Sequence, residues 1–197
     1  MIKNQLIALI RSKVLDERPN LNNLYQEDER RLELDIDAAF NTIYYQTFKK
    51  SPYNLDRYVK TFTGIPVTED TNGIFTSILP CRVIQFPTVG DGVRAIKSGP
   101  GLRFVPMKRD DMEMMAATET AIVSSMIGYC ISSNIVTYYN MDSAISSVTM
   151  DVVPAFQAWL KTDDIPIPAG QDEILIDMIV RNFHIKPTEH LDNLNEV

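Results

Sequence analysis

At the start of the chain apolar residues recur every three or four positions, and Ile2, Leu6, Leu9, Ile10 and Val14 fall along one face of a helix over residues 2–15. After the "ERPN" break, "QEDERR" supplies acids suited to a helix amino end. Leu32, Ile36, Ala39, Phe40, Ile43 and Thr47 then share a stripe that predicts a long helix over residues 28–48. Lys49 and Lys50 complement its carboxyl end, and Ser51-Pro52 discourages continuation.

The period then changes. "DRYVKTFTGIPV" sets Tyr58, Lys60 and Phe62 against Arg57, Val59 and Thr61, and it is rich in β-branched and aromatic residues. "TEDTNG", "TVGDG" and "SGPG" are turn clusters that separate short strand-like runs at 74–79, 81–86, 93–98 and 102–105. "YCISS" and "NIVTYYN" flank a turn at Ser133-Asn134, and "SAISSVTMDVVPAF" supplies another alternating strand. The middle of the chain therefore reads as one antiparallel sheet or a sandwich built from hairpins.

Residues 110–128 combine an acidic start, helix-favouring Met and Ala, and a closing glycine, which predicts a further helix. Met112, Met114 and Met115 in it suit core packing or an adaptable contact surface. Near the end, Ile174, Leu175, Ile176, Met178, Ile179, Val180 and Phe183 spread over roughly two-thirds of a helix circumference at 100° per residue. Glu173, Asp177 and Arg181 share the remaining stripe, so this helix is expected to be buried on most sides. The fold class that follows is α+β: amino-terminal helices, a central antiparallel β-sheet or sandwich with hairpins, and a carboxy-terminal helix. Its expected parts are a helical segment (1–50) packing on or extending from the body, a mainly antiparallel β body (51–160), a turn and helix (161–183), and a flexible tail (184–197).

Composition changes this picture little. A 197-residue chain with 45% hydrophobic and 23% charged residues can bury a sizeable core. The net charge of −7 works against binding duplex DNA through its phosphates. Cys81 and Cys130 lack metal or redox spacing and read as buried reduced thiols. The amino terminus is too polar for a signal segment, and no eighteen-residue apolar run occurs, predicting a soluble, unexported chain with no membrane partner.

Candidate chemistry is sparse. Asp163 and Asp164 precede Pro166 and Pro168, where loop acids remain solvated, although an acid-dependent hydrolase would draw on them or on the "TED" acids at 68–70. Asp35 and Asp37 diverge by about 200° on a helix and do not converge on one substrate. The sequence holds no phosphate-binding glycine loop followed by lysine, no H-E-x-x-H and no G-x-S-x-G. His184 and His190 lie at or beyond the last helix, so no catalytic, metal or cofactor site is expected. The tyrosines of "NIVTYYNMD" lack basic neighbours and read as core or interface residues.

The order of parts nonetheless resembles a family. The helical beginning, "YVKTFTGIPV", "ILPCRVIQFPTVGDGVRAI", "FVPM", "IGYCISSNIVTYYN" and "DDIPIPAGQDEILIDMIV" together resemble ring-forming neck or head-to-tail adaptor proteins of short-tailed bacteriophages, crAss-like phages in particular. The resemblance implies a non-enzymatic virion protein, a cyclic homo-oligomer of about twelve copies that connects portal to tail and helps form the DNA channel. Its implied partners are the portal protein, adjacent tail or neck rings, and DNA passing without sequence-specific binding; an outer tail or collar ring is the alternative placement. Neighbouring copies are then expected to meet through Ile174, Leu175, Met178, Ile179 and Phe183 of the last helix and Leu6 and Ile10 of the first.

Overall fold

The computed structural model describes residues 1–16, 26–50, 57–84, 92–99, 102–111, 126–168 and 170–185, with the backbone alone described at 26–29, 102 and 183–185. The chain is α+β and divides into two compact units, one formed by Met1–Lys49 with Trp159–Val197 and the other by Lys50–Ala158.

The first unit is helical: α1 spans Lys3–Asp16, α2 spans Gln26–Lys50 and α3 spans Asp172–Ile185. In α1 the buried stripe is Lys3, Leu6, Ile10 and Val14. Lys3 takes the place that the apolar spacing assigns to Ile2, which is exposed, as is Leu9. The lysine stem is buried while its ammonium donates to the Trp159 carbonyl at 2.8 Å. Burial pulls its pKa down, opposed by the nearby carboxylates of Glu33, Asp163 and Asp37. In α2 the predicted stripe is fully buried at Leu32, Ile36, Ala39, Phe40 and Ile43 and half-buried at Thr47, and Tyr44 extends it. Phe40 and Tyr44 pack as a tilted pair, ring planes at 59° and centroids 4.5 Å apart, and the Tyr44 hydroxyl donates to the Pro166 carbonyl at 2.5 Å.

A short backbone seam closes this unit. Lys3 N–H donates to Asp163 O (3.0 Å), Asn4 N–H to Lys161 O (3.1 Å) and Ile165 N–H to Met1 O (2.9 Å), so four residues of the beginning run antiparallel to residues 161–165. Ile165 is buried behind the seam, and α1 packs against α3, whose buried side is Leu175, Ile176, Ile179 and Val180.

The second unit is a β-sandwich of two sheets. Its strands are β1 (Lys60–Pro66), β2 (Thr68–Glu69), β3 (Phe75–Ile78), β4 (Val93–Ser98), β5 (Leu102–Arg103), β6 (Val105–Pro106), β7 (Gly128–Ser132), β8 (Ile135–Tyr139) and β9 (Ser147–Val152). One sheet has the order β1-β9-β4-β5 and the other β2-β3-β8-β7-β6, antiparallel throughout except for the parallel β6–β7 pair. The runs expected at 74–79 and 93–98 form β3 and β4, whereas 102–105 splits into two strands, one in each sheet. The chain changes sheets again between β1 and β2, at Val67. In the run expected at 81–86, Val83 makes one isolated bridge with Pro154, and 85–86 lie outside the described residues. The helix expected over 110–128 falls mostly outside them too, and Gly128, read as its end, begins β7.

Alternation along the strands sends Tyr129, Val136, Tyr138, Val148, Met150 and Val152 into one core with Ile96 and Phe104. Gly128 lies under Met107: a Cβ there would come 2.3 Å from Met107 Sδ, so a side chain would oblige the flexible end of the methionine to shift. Cys81 and Cys130 are free thiols and only half-buried, which corrects the expectation of buried ones: Cys81 packs at the margin of this core, and Cys130 lies on the outer side of β7. No helix among the described residues is long and apolar enough to cross a membrane.

The single tryptophan, Trp159, belongs to the helical unit and reports on it. Leu175→Ala should lower the urea stability followed by Trp159 fluorescence by about 2–5 kcal/mol, the cost of a buried leucine truncation. Ile174→Ala, on the exposed side of the same helix, should change it by no more than about 0.5 kcal/mol.

Candidate assembly surface and the polar clusters

The acids that sequence reading weighs for catalysis serve the backbone. Asp163 accepts the Leu160 N–H at 2.9 Å through its carboxylate and the Lys3 N–H through its carbonyl, which shapes the turn beneath the seam. Asp164 lies against the Met1 amino group with its side chain mostly exposed. Asp70 accepts the N–H groups of Asn72 and Ile74, both at 2.8 Å, forming a turn that joins β2 to β3. Those backbone hydrogen bonds hold its carboxyl below the ordinary carboxylate range. Glu69 is exposed beside it.

Asp35 and Asp37 are both buried despite their 200° divergence, because the buried arc of α2 is wide enough to take in both flanks. Asp37 lies in the field of Lys3, and Asp35 is 3.9 Å from Arg31 Nε one turn earlier. They stand on opposite sides of the helix and cannot act as a carboxylate pair.

On the outer face of the four-stranded sheet, Asp151 accepts from Thr61 Oγ1 (2.7 Å) and Lys97 Nζ (3.0 Å), one strand to either side. Burial pushes its pKa up, but those hydrogen bonds and the charges of Lys97 and Arg103 outweigh it and hold the carboxyl below its ordinary value. Arg103 also donates to the Arg94 carbonyl at 2.7 Å. This face is charged and internally paired. Inside the sandwich, Ser77 and Tyr138 share a 2.6 Å hydrogen bond in the buried core. Burial pushes Tyr138 up to about 12, opposed by the Ser77 bond, and Tyr129 also to about 12, opposed by Arg103 and Arg94.

The outer face of the five-stranded sheet is different. Its outward positions on β3, β8 and β7 are Thr76, Ile78, Ile135, Thr137, Tyr139, Gly128, Cys130 and Ser132, none of them charged at neutral pH. Ile78 and Ile135 are directly opposite one another across the ladder, 64% and 45% exposed, and Ile74 just before β3 is 44% exposed. Beside Ile78 and Ile135, at the far end of β3 from Ile74, the face runs into a groove of about 470 Å³ lined by Leu79, Cys81, Arg82, Val83, Ser133 and Asn134. Arg82 is the one charged residue among these, and its guanidinium donates to Gln157 at 2.8 Å. Burial raises the pKa of the Cys81 thiol, so it is less nucleophilic than an ordinary cysteine.

The sandwich's edges offer less. β2, β5 and β6 are two residues long. β1 is interrupted by a bulge between Phe62 and Ile65, where Gly64 adopts φ 69°, and it closes on Pro66. Short strands, bulges and prolines all resist pairing with another strand, which leaves the uncharged face as the sandwich's readiest contact surface.

The residues assigned to subunit contacts from sequence fare unequally. Leu6, Ile10, Leu175 and Ile179 are completely buried within the helical unit, because α1 and α3 use their apolar faces on their own unit; they are core residues, which corrects the expectation. Ile174 is 48% exposed and Met178 half-buried, so these two remain on the surface. The side chain of Phe183 lies outside the described set, as do His190 and most of the expected tail. Among the described residues no group of three or more His, Cys, Asp or Glu side chains could hold a metal ion. Neither protein-family models nor curated protein sequences match the chain.

The two core tyrosines carry a pH dependence. Because their folded pKa values exceed the ordinary 10.0, the unfolded chain ionises first; the stability is full below about pH 10 and is lost as pH rises through about 12. Spectrophotometric titration at the phenolate band should show Tyr129 and Tyr138 ionising last, and Tyr138→Phe should remove one late component. Ionisation of all tyrosines near pH 10 in the folded protein would contradict the buried placement.

Proposed function

We propose that the chain is a virion structural protein, a subunit of a cyclic ring that connects portal to tail in a short-tailed bacteriophage. The observation that carries the reading furthest toward assembly is the uncharged, isoleucine-bearing face of the five-stranded sheet, set on a sandwich whose edges are blunted and whose other face is charged and self-paired. The resemblance in order of parts supplies the phage setting, the portal and adjacent neck or tail rings as partners, and about twelve copies as the ring size. An outer tail or collar ring is the nearest alternative placement.

The charge distribution supports contact with DNA in passage. The helical unit carries ten basic and sixteen acidic side chains, net −6, and the β-unit nine and ten, net −1. An acidic surface repels phosphate, which suits a conduit through which DNA must move without adhering. The acids support the non-enzymatic reading, since Asp163 and Asp70 are committed to turns and Asp164 pairs with the Met1 amino group.

Proteomics of purified virions should find the chain among the particle proteins, and imaging of particles should place it as a ring at the portal vertex. Purified chain that stays strictly monomeric and is missing from particles would sink the reading. Asn in place of Asp163 and Asp164 should leave particle assembly intact; a hydrolytic activity lost in that variant would instead favour an enzyme.

A further inference from the structure

We propose that the chain covers part of the uncharged sheet face with its own residues 112–125, which cross the Gly128 end of β7 and leave the corner at Ile78 and Ile135 for a partner. The proposal concerns the single chain, does not depend on the ring reading, and narrows the surface that reading can use.

The covalent path selects the occupant. β6 and β7 are neighbours that run parallel, and parallel neighbours need a crossover of about a dozen residues or more, usually helical, over one face of the sheet. The inner face is filled by the sandwich core, so residues 107–127 have only the outer face or the open side of edge strand β6. Both ends of that path are held: Met107 N–H donates to Tyr129 O at 2.8 Å, and Asn140 Nδ2 donates to the Met126 carbonyl at 3.3 Å. The chain therefore leaves beside Cys130 and returns below Gly128, moving away from Ser132 and Ile135. That return is roughly 14 Å at strand spacing. Residues 109–111 are already helical, and a helix over 112–125 would span about 21 Å, ample for the return. The segment reads "MEMMAATETAIVSS", with Met112, Met114, Met115, Ile122 and Val123 available to face an uncharged sheet.

Burial selects the outer face over the open edge. Tyr129 and Tyr138 point into the core, so Gly128 and Tyr139, the next pair along the ladder, belong to the outer side. The Met107 thioether lies where a Gly128 side chain would stand, which puts Met107 on the outer side as well. Yet Met107 is only 8% exposed, and it is no part of the core between the sheets. A long apolar side chain lying on an outer face reaches such burial beneath a further layer of chain, and a path beyond the β6 edge would leave it open to water. Exposure along the face is graded in the same sense. Cys130, Thr137 and Tyr139 are half-buried toward the Gly128 end, whereas Ile78, Ile135 and Ser132 at the opposite end are exposed.

Cys130 is a built-in probe of that cover. In full-length chain carrying Cys81→Ser, the single changes Met112→Cys, Met114→Cys, Met115→Cys, Ala117→Cys and Ala121→Cys sample all sides of a helix. Under mild oxidation at high dilution, at least one should form an intrachain disulfide with Cys130 at least about tenfold faster than with a cysteine at Thr149, on the outer side of the other sheet, in a Cys130→Ser chain. Replacing Met112, Met114 and Met115 together by serine in the otherwise native chain should raise maleimide labelling of Cys130 about tenfold and leave that of Cys81 unchanged. Where both thiols quicken, the variant has unfolded and the disulfide scan decides. No position preferring Cys130 over the Thr149 site overturns the proposal, as do disulfides that form only between chains and vanish on dilution. Either result leaves the ring reading to the proteomics of particles, a separate measurement.

Discussion

The helical unit depends on a seam only a few residues long. Three backbone hydrogen bonds between residues 1–4 and 161–165 bring segments more than 150 positions apart into register. Forming such a contact early would carry a large loop-closure cost, which grows with the logarithm of the intervening length. That cost falls once the β-unit has folded, since Lys50 and Ala158 are then held as the two ends of one compact body. The seam in turn seats Ile165 in the core and delivers Lys3 to the Trp159 carbonyl; α1 and α3 bury their apolar stripes in the unit it closes.

Periodicity carried much of this arrangement. The stripe of α2 could be read directly, because Leu32, Ile36, Ala39, Phe40 and Ile43 repeat at helical spacing and nothing local competes. The β7–β8 hairpin was equally plain from two alternating runs around Ser133-Asn134, and Ser133 adopts the positive φ of 58° that a tight hairpin turn demands. The switches between sheets could not be read. Val105 follows Arg103 by two residues yet pairs in another sheet, and only the parallel ladder to β7 reveals it.

The exposed apolar surface was only partly legible, and for an instructive reason. A broad apolar helix face signals burial but does not say by what, so Leu175 and Ile179 were indistinguishable in sequence from residues awaiting a neighbour. Ile78 and Ile135 carried no signal as surface residues, because an isoleucine in a strand reads as core. What marks them is the parity of their positions: Ser77 and Val136 point inward, so Ile78 and Ile135 must point out. Lys3 shows the converse: a charged residue gave no sign of burial, and the apolar spacing assigned its place to Ile2.

The sandwich joins the helical unit at two places in the chain, once between residues 49 and 50 and again between 158 and 159. Any tension that draws the two units apart is shared by two covalent tethers in parallel, and a single cut within either tether leaves the other intact. The sandwich is also a cassette in the chain, formed by one continuous segment, so its loops and exposed faces can diverge while the helices and their seam stay as they are.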